Sequence, residues 1–358
     1  MNLFRVGERK VIEHIRRRFA QGGHHFTGMG DDTAILSFST FGPGPQNLLL
    51  TTDVLVEGVD FDLRYCPFHQ VGFKAMAANL SDIAAMGGVP RFHLVTLGLP
   101  GSVSLKQVDQ LYEGMAELAR DYKVRLIGGD ISSTQGGLFV GIVVVGEVEK
   151  GRAVVRSGAC VGDLIFVTGT LGDAAAGLEL VRDSSLRSPK KTSLLQRPSM
   201  GPLVQRQFYP IPRITEGRLF LNKRMAHAMI DLSDGLASDL RHICEESRVG
   251  AVVEAECLPL SDALLEYARE VRKDPLKYAL TGGEDFELLF TVPEGKVSHL
   301  VRLSRQKRLR LTKIGKILPR SSGVKLKNAR GKRVPFPARG YEHFKTNHSI
   351  PATDRFFP

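Results

Sequence analysis

Seven aspartates in this 358-residue chain share one local grammar, in which small residues precede an acid that stands beside a hydroxyl or a glycine. They occur in "GMGDDTAIL" (Asp31, Asp32), "TTD" (Asp53), "NLSD" (Asp82), "GGD" (Asp130) and "DLSDG" (Asp231, Asp234). Singly, each is an ordinary turn or helix-cap acid, and Asp31 with Asp32 alone reads as a solvated turn. Brought together they form a carboxylate cage, which repels itself unless a cation compensates it. Hard divalent cations suit all-oxygen donors, and Mg²⁺ in particular is shared between a few carboxylates and substrate phosphates. No HExxH or Cys–His cluster suits a softer metal, and no GxxxxGK[ST] loop is present to cradle phosphate. The implied chemistry is one in which acids hold metal and metal holds phosphate. Arg156, in "VRSGA", is the natural direct phosphate contact. A surface arginine in a linker is the equally open alternative.

The elements that must position these acids alternate between strand-like and helix-like runs. "NLLLTTD" reads as a strand and "VGFKAMAANLSDIAAMGG" as a helix stopped by a glycine pair. "RFHLVTLGL" and "LFVGIVVVGEV" read as strands flanking an amphipathic helix, "LKQVDQLYEGMAELARDY". A turn-rich connector at 149–163 marks the expected domain boundary. Beyond it, alternation resumes with "LIFVTG" and "LGDAAAGLELV", then breaks at a polar, proline-punctuated stretch over 183–207 that reads as a mobile surface loop or a loosely packed insertion. "AHAMIDLSDGLASDLRHICEE", "AVVEA", "ALLEYAREV" and "YALTGGEDFELLFTV" continue the pattern. No fixed short period is present, which excludes a solenoid. Two α/β domains are expected.

Composition narrows the class. With 42% hydrophobic and 24% charged residues, the chain is ordinary for a globular protein. No apolar run reaches the roughly 20 residues that span a bilayer, and the N-terminus lacks a signal-peptide core. A cytoplasmic protein with no membrane partner is implied. Cys66, Cys160, Cys244 and Cys257 are far apart, so reduced, mostly buried thiols are expected rather than disulfides or structural zinc. The net charge of +11 is local: between Gly295 and Tyr341 there are 15 Lys and Arg and no Asp or Glu. No Phe, Tyr or Trp interrupts that segment before Pro335 to stack on bases, so a solvated face is favoured over nucleic-acid binding.

Taken in order, "GMGDDTAIL", "TTDVLVEGVDF", "FKAMAANLSDIAAMGGVP", "IGGDISS", "RSGACVGDLIFVTGTLGDAAAGL", "MIDLSDGLASDL", "LTGGEDFELLFTV" and "GYEHF" resemble the thiamine-monophosphate kinases. The likeness runs from about Gly28 to Phe344, with only 183–207 unmatched. It implies an α/β (α+β), two-domain aminoimidazole ribonucleotide synthetase-like fold. In that fold an N-terminal ATP- and metal-binding domain (1–150) pairs with its twin across a homodimer, and a C-terminal α/β domain (151–345) and a tail (346–358) follow. The implied activity is ATP-dependent, in-line phosphorylation of thiamine monophosphate, with ATP as co-substrate, several Mg²⁺ ions and no covalent or strong general-base residue. Family metal positions fall on Asp32, Thr51, Thr52, Asp53, Asp82, Asp130, Asp231 and Asp234, and nucleotide contacts on Gly129, Asp130, Arg156 and Ser233. Acceptor positions fall on Asp60, Glu284 and Ala338. The family usually has His at the first of these and an aromatic residue, typically Trp, at the last. Two alternatives stay open. One is a kinase or synthetase of this superfamily acting on a different small phosphate or carboxylate. The other is a nucleic-acid-binding protein using the basic segment.

Overall fold

The structure, a computed structural model, describes residues 26–27, 33–38, 46–185, 193–337 and 340. Its first half is a six-stranded sheet in the order β1-β2-β3-β6-β4-β5, formed by β1 (Phe26–Thr27), β2 (Ala34–Phe38), β3 (Gln46–Val56), β4 (Val89–Pro100), β5 (Arg125–Thr134) and β6 (Phe139–Glu149). All neighbours run antiparallel except β4 and β5. β3 alternates as a half-buried strand must: Leu49, Thr51 and Leu55 turn inward, whereas Thr52, Val54 and Val56 face out. The inward face is covered by α1 (Phe68–Ala85), which packs against α2 (Leu105–Asp121). α1 is buried on nearly every side, which explains its Ala-rich composition. α2 is amphipathic, opening on a Ser104–Gln107 capping box and turning Leu111, Met115 and Leu118 to the core.

The second half is a seven-stranded sheet in the order β13-β12-β9-β11-β7-β10-β8. Its strands are β7 (Leu164–Thr168), β8 (Ala228–Asp231), β9 (Gly250–Glu254), β10 (Leu288–Val292), β11 (Leu311–Leu318), β12 (Val324–Lys327) and β13 (Arg333–Pro335). Around it lie α3 (Asp173–Ser185), α4 (Gly201–Phe208), α5 (Ile214–Asn222), α6 (Leu236–Glu246), α7 (Asp262–Val271), α8 (Pro275–Thr281) and α9 (Val297–Lys307). One apolar cluster runs from α1 through Phe220 to Phe290, so the two sheets share a core. Basic residues of α9 are exposed, and the helix buries only Leu300 and Leu303.

The described part of the 183–207 stretch corrects the expectation of a loose loop. Pro198 and Pro202 open two short helical segments, where a missing N–H costs nothing. Met200 and Leu203 are fully buried there. Polar residues between prolines hid an apolar face only two turns long. Cys66 and Cys244 are buried as expected, but Cys160 is exposed and Cys257 half-buried, because both lie in turns. Among the described residues no helix is long and apolar enough to cross a membrane.

Candidate active site

Thr51 is buried against α1, where its hydroxyl donates to the Asp82 carboxylate. The Asp53 backbone N–H donates to the Asn79 side chain at 3.2 Å, and Asn79 donates in turn to the Ala75 carbonyl at 3.0 Å. Alternation places Asp53 on the same face as Thr51 and sends Thr52 to the other. The sheet register extends this division. Val54 pairs with Gly141, Gly141 with Thr96, and Thr96 with Asp130, so Asp130 shares the open face with Thr52. Along the sheet, β5 is three strand spacings from β3, about 14 Å. The first-half donors are therefore sorted: Thr51, Asp53 and Asp82 meet at α1, while Thr52 and Asp130 stand on the open face. At Gly129 a Cβ would lie 2.0 Å from the Val95 carbonyl, so β4 and β5 can pair closely only over a glycine.

α1 also packs on β8, whose last residue, Asp231, is only 2% exposed. The loop after it is zipped to the 284–288 segment: Glu284 N–H donates to Ser233 O at 2.8 Å, Phe286 N–H to Leu232 O at 2.9 Å, and Leu232 N–H to Glu287 O at 2.8 Å. Gly235, at φ +100°, closes this loop where a Cβ would meet the Gly282 carbonyl at 2.5 Å. Asp234 offers a donor atom within 4.8 Å of donors from Asp239 and His242. Sequence reading had not singled out those two, although their three-residue spacing puts them on one face of α6. The hydroxyl and carboxylate oxygens of Thr51, Asp53, Asp82 and Asp231 are a donor set suited to Mg²⁺.

The "GGEDF" loop is the most constrained backbone near these donors. Glu284 and Phe286 hold left-handed conformations, φ +69° and +49°, which non-glycine residues rarely adopt. The Glu284 carboxylate pairs with the Lys74 ammonium of α1 and accepts from the Gln207 amide at 3.1 Å. Asp285 accepts from Gly172 N–H at 2.7 Å and Ala174 N–H at 3.4 Å. Burial nevertheless pushes its carboxyl up to about 8. Glu287, fully buried, accepts from Arg213 at 2.7 and 2.5 Å, from the Thr168 hydroxyl at 2.5 Å, and from Arg206. Burial pushes Glu287 up, but Arg213 and then Arg206 outweigh it and hold the carboxyl below its ordinary value. Lys74, Arg206, Gln207 and Arg213 were all missed in the sequence. Only Lys74 carried a signal, as the one charge in "VGFKAMAANL".

Arg156 lies in a 3₁₀ turn (Arg156–Gly158) whose geometry is fixed by its own carbonyl, which accepts from the Ser247 hydroxyl at 2.7 Å. Asp60 closes the turn after β3: its carboxylate accepts from Val56 N–H at 2.8 Å, and its carbonyl oxygen lies 3.4 Å from Lys74 Nζ. Asp31, Asp32 and Ala338 lie outside the described residues.

Residues 30–148 match the N-terminal domain, and residues 161–327 the C-terminal domain, of the AIR synthase related proteins, the class that this pair of α/β halves and its acid-lined loops define. Within that class, the chain belongs to the thiamine-monophosphate kinase family. It is 38% identical over 325 residues to the thiamine-monophosphate kinase of Bacillus subtilis, covering 90% of this chain and 95% of that one. It is 36% identical over 348 residues to that of Aquifex aeolicus, covering 96% and 100%. Among solved structures, AaThiL complexed with AMPPCP and TMP superposes with a TM-score of 0.80 at 35% identity, covering 96% of this chain and 99% of that one.

Proposed function

We propose that this protein transfers the γ-phosphoryl group of ATP to the phosphate of thiamine monophosphate, releasing thiamine diphosphate and ADP. The observation that carries this reading is the near-full-length likeness to AaThiL, described with an ATP analogue and TMP, in a chain whose Thr51 hydroxyl meets the Asp82 carboxylate of α1. An acceptor phosphate oxygen attacks the γ-phosphorus in line; the new P–O bond forms as the bond to the β–γ bridging oxygen breaks, and ADP leaves. A phosphate monoester with a second pKa of about 6 is already largely ionised near neutrality, so no strong general base is needed. Asp32, Thr51, Thr52, Asp53, Asp82, Asp130, Asp231 and Asp234 would hold several Mg²⁺ ions between them, and the chemistry these would supply is screening of the repulsion between the two phosphates. Gly129, Asp130, Arg156 and Ser233 contact the nucleotide in this reading. Glu284, the Asp60 turn and the segment carrying Ala338 wall the acceptor.

The same reading puts the domain boundary at 150/151, between the end of β6 and the 3₁₀ turn, with a second domain over 151–345 and a tail over 346–358. It places the enzyme in the cytoplasm, as a homodimer joined through the open face of the first sheet, with Thr52 and Asp130 at the seam. The test is ADP release by the purified chain with ATP and Mg²⁺, with and without thiamine monophosphate. Acceptor-dependent release is expected. Release with another small phosphate or carboxylate but not with thiamine monophosphate would keep the chemistry and overturn the substrate.

A further inference from the structure

Lys74 is the outlier of α1. An ammonium buried to 3% side-chain exposure is tolerated only when its charge is met, because desolvation costs several kcal/mol per ion, roughly. Its counter-ion comes from the other half of the molecule: the Glu284 carboxylate, on the left-handed "GGEDF" loop. The same Nζ lies 3.4 Å from the Asp60 carbonyl, in the turn that ends the donor-bearing β3. From the opposite side Gln207 of α4 donates to the second Glu284 oxygen at 3.1 Å. Glu284 keeps 29% of its side chain exposed, whereas Lys74 is shut in behind it. The pair is net neutral, so it presents a fixed acceptor edge outward, backed by an ammonium.

The geometry points to Lys74 as a positioning residue for the phosphate acceptor: it holds the Glu284 carboxylate and the Asp60 turn in register, so that walls contributed by the two halves face one substrate. This rests on the kinase reading above. α1 sets the distance. Lys74 and Asp82 are eight residues apart on one helical face, separated by about 12 Å along the axis. One rigid helix thus carries the acceptor clamp near one end and the metal-side carboxylate near the other. A strained loop persists only where its surroundings over-determine it, and Glu284 is held by Lys74, Gln207 and its own backbone bond to Ser233.

The test uses the full chain, with thiamine monophosphate as acceptor, AMPPCP titration for the nucleotide side, and thermal unfolding as a control. Lys74→Met is expected to lower kcat/KM for the acceptor by roughly tenfold or more, chiefly through KM, with AMPPCP affinity changed by less than about twofold. Lys74→Arg, which keeps the charge, is expected to recover most of the loss. Gln207→Leu removes the other clamp without stranding a buried charge and should show the same acceptor-selective pattern, more weakly; it decides the matter, together with Lys74→Arg, if Lys74→Met fails to fold. Equal losses for nucleotide and acceptor, or an acceptor KM unchanged in the folded variants, overturn the proposal. Wild-type protein is assayed first: absence of acceptor-dependent ADP release there overturns the kinase reading and the clamp together, whereas release in wild type with no acceptor effect in the variants overturns the clamp alone.

Discussion

A carboxylate that receives a hydroxyl bond from a neighbouring strand can serve a fold or a metal, and Asp82 distinguishes the two. Its partner Thr51 is buried, and β3 and α1 are also joined by the Asp53–Asn79 bond, so the contact between these two elements does not rest on Asp82 alone. Asp82→Asn is therefore expected to lower turnover at saturating Mg²⁺ by roughly 100-fold or more, while the Mg²⁺-free protein keeps its thermal midpoint within a degree or two. ADP release and thermal unfolding with and without Mg²⁺ check this; full activity in the variant would sink the metal-holding role. At this scale the sequence offers candidates where a residue type announces its chemistry. Asp82, Asp231 and Asp234 stand out as candidates because acids beside hydroxyls are informative, and Glu284 because its motif is distinctive. Lys74, Gln207 and Arg213 escaped because their meaning lies in what faces them from another element. The resemblance puts Asp60 at an acceptor position, and the structure ties its carboxylate to the Val56 N–H, a backbone use that side-chain identity does not reveal.

Elements with strong periodicity were legible almost to their ends. α1, α2, β6 and the β8–α6 pair all form where apolar spacing, a capping serine or a glycine stop marks them. α4 and α5 were not, since helices of eight and nine residues carry too little period to read. Yet these are the elements that tie the halves together: Arg218 of α5 reaches Glu149 at the end of β6 through two bonds, 3.0 and 2.8 Å. Hydrogen bonding from that guanidinium holds the Glu149 carboxyl down at about 2, against an ordinary value of 4.5. Because the folded value is depressed, the stabilisation is present above pH 4.5 and is lost as pH falls from there toward about 2. Glu149 is 34% exposed, so solvent screening limits the pair to about 1 kcal/mol or less. Arg218→Met should be less stable than wild type at pH 7 by that amount, and the gap should close as pH falls through this window. Thermal unfolding of both proteins across the range measures it; a gap that stays constant down to pH 2 would show that Arg218 acts through packing alone.

For the whole molecule, the first sheet has an edge that the described residues leave uncovered. Its edge strand β5 is ten residues long and carries Leu126, Ile127 and Ile131 at 49%, 56% and 58% exposure, with Val54 of β3 at 55% on the open face. Long apolar edges are templates for further pairing, and globular proteins cover or charge them. The 15 basic residues that could have blunted this edge lie instead in the 295–341 segment of the second half. The open face is also where the register puts Asp130; in the kinase reading proposed above that residue serves both metal and nucleotide, so covering the edge and completing the site would be one requirement. We therefore expect the chain to run at twice its own mass in light scattering at micromolar concentration. Ile127→Lys combined with Ile131→Lys should shift it to the mass of one chain and lower turnover by roughly tenfold or more, with the helix content of each half retained. A wild-type monomer that is fully active would remove the homodimer from the reading. A double variant that stays paired would move the seam to another surface, and leave the exposed β5 residues without the role argued for them.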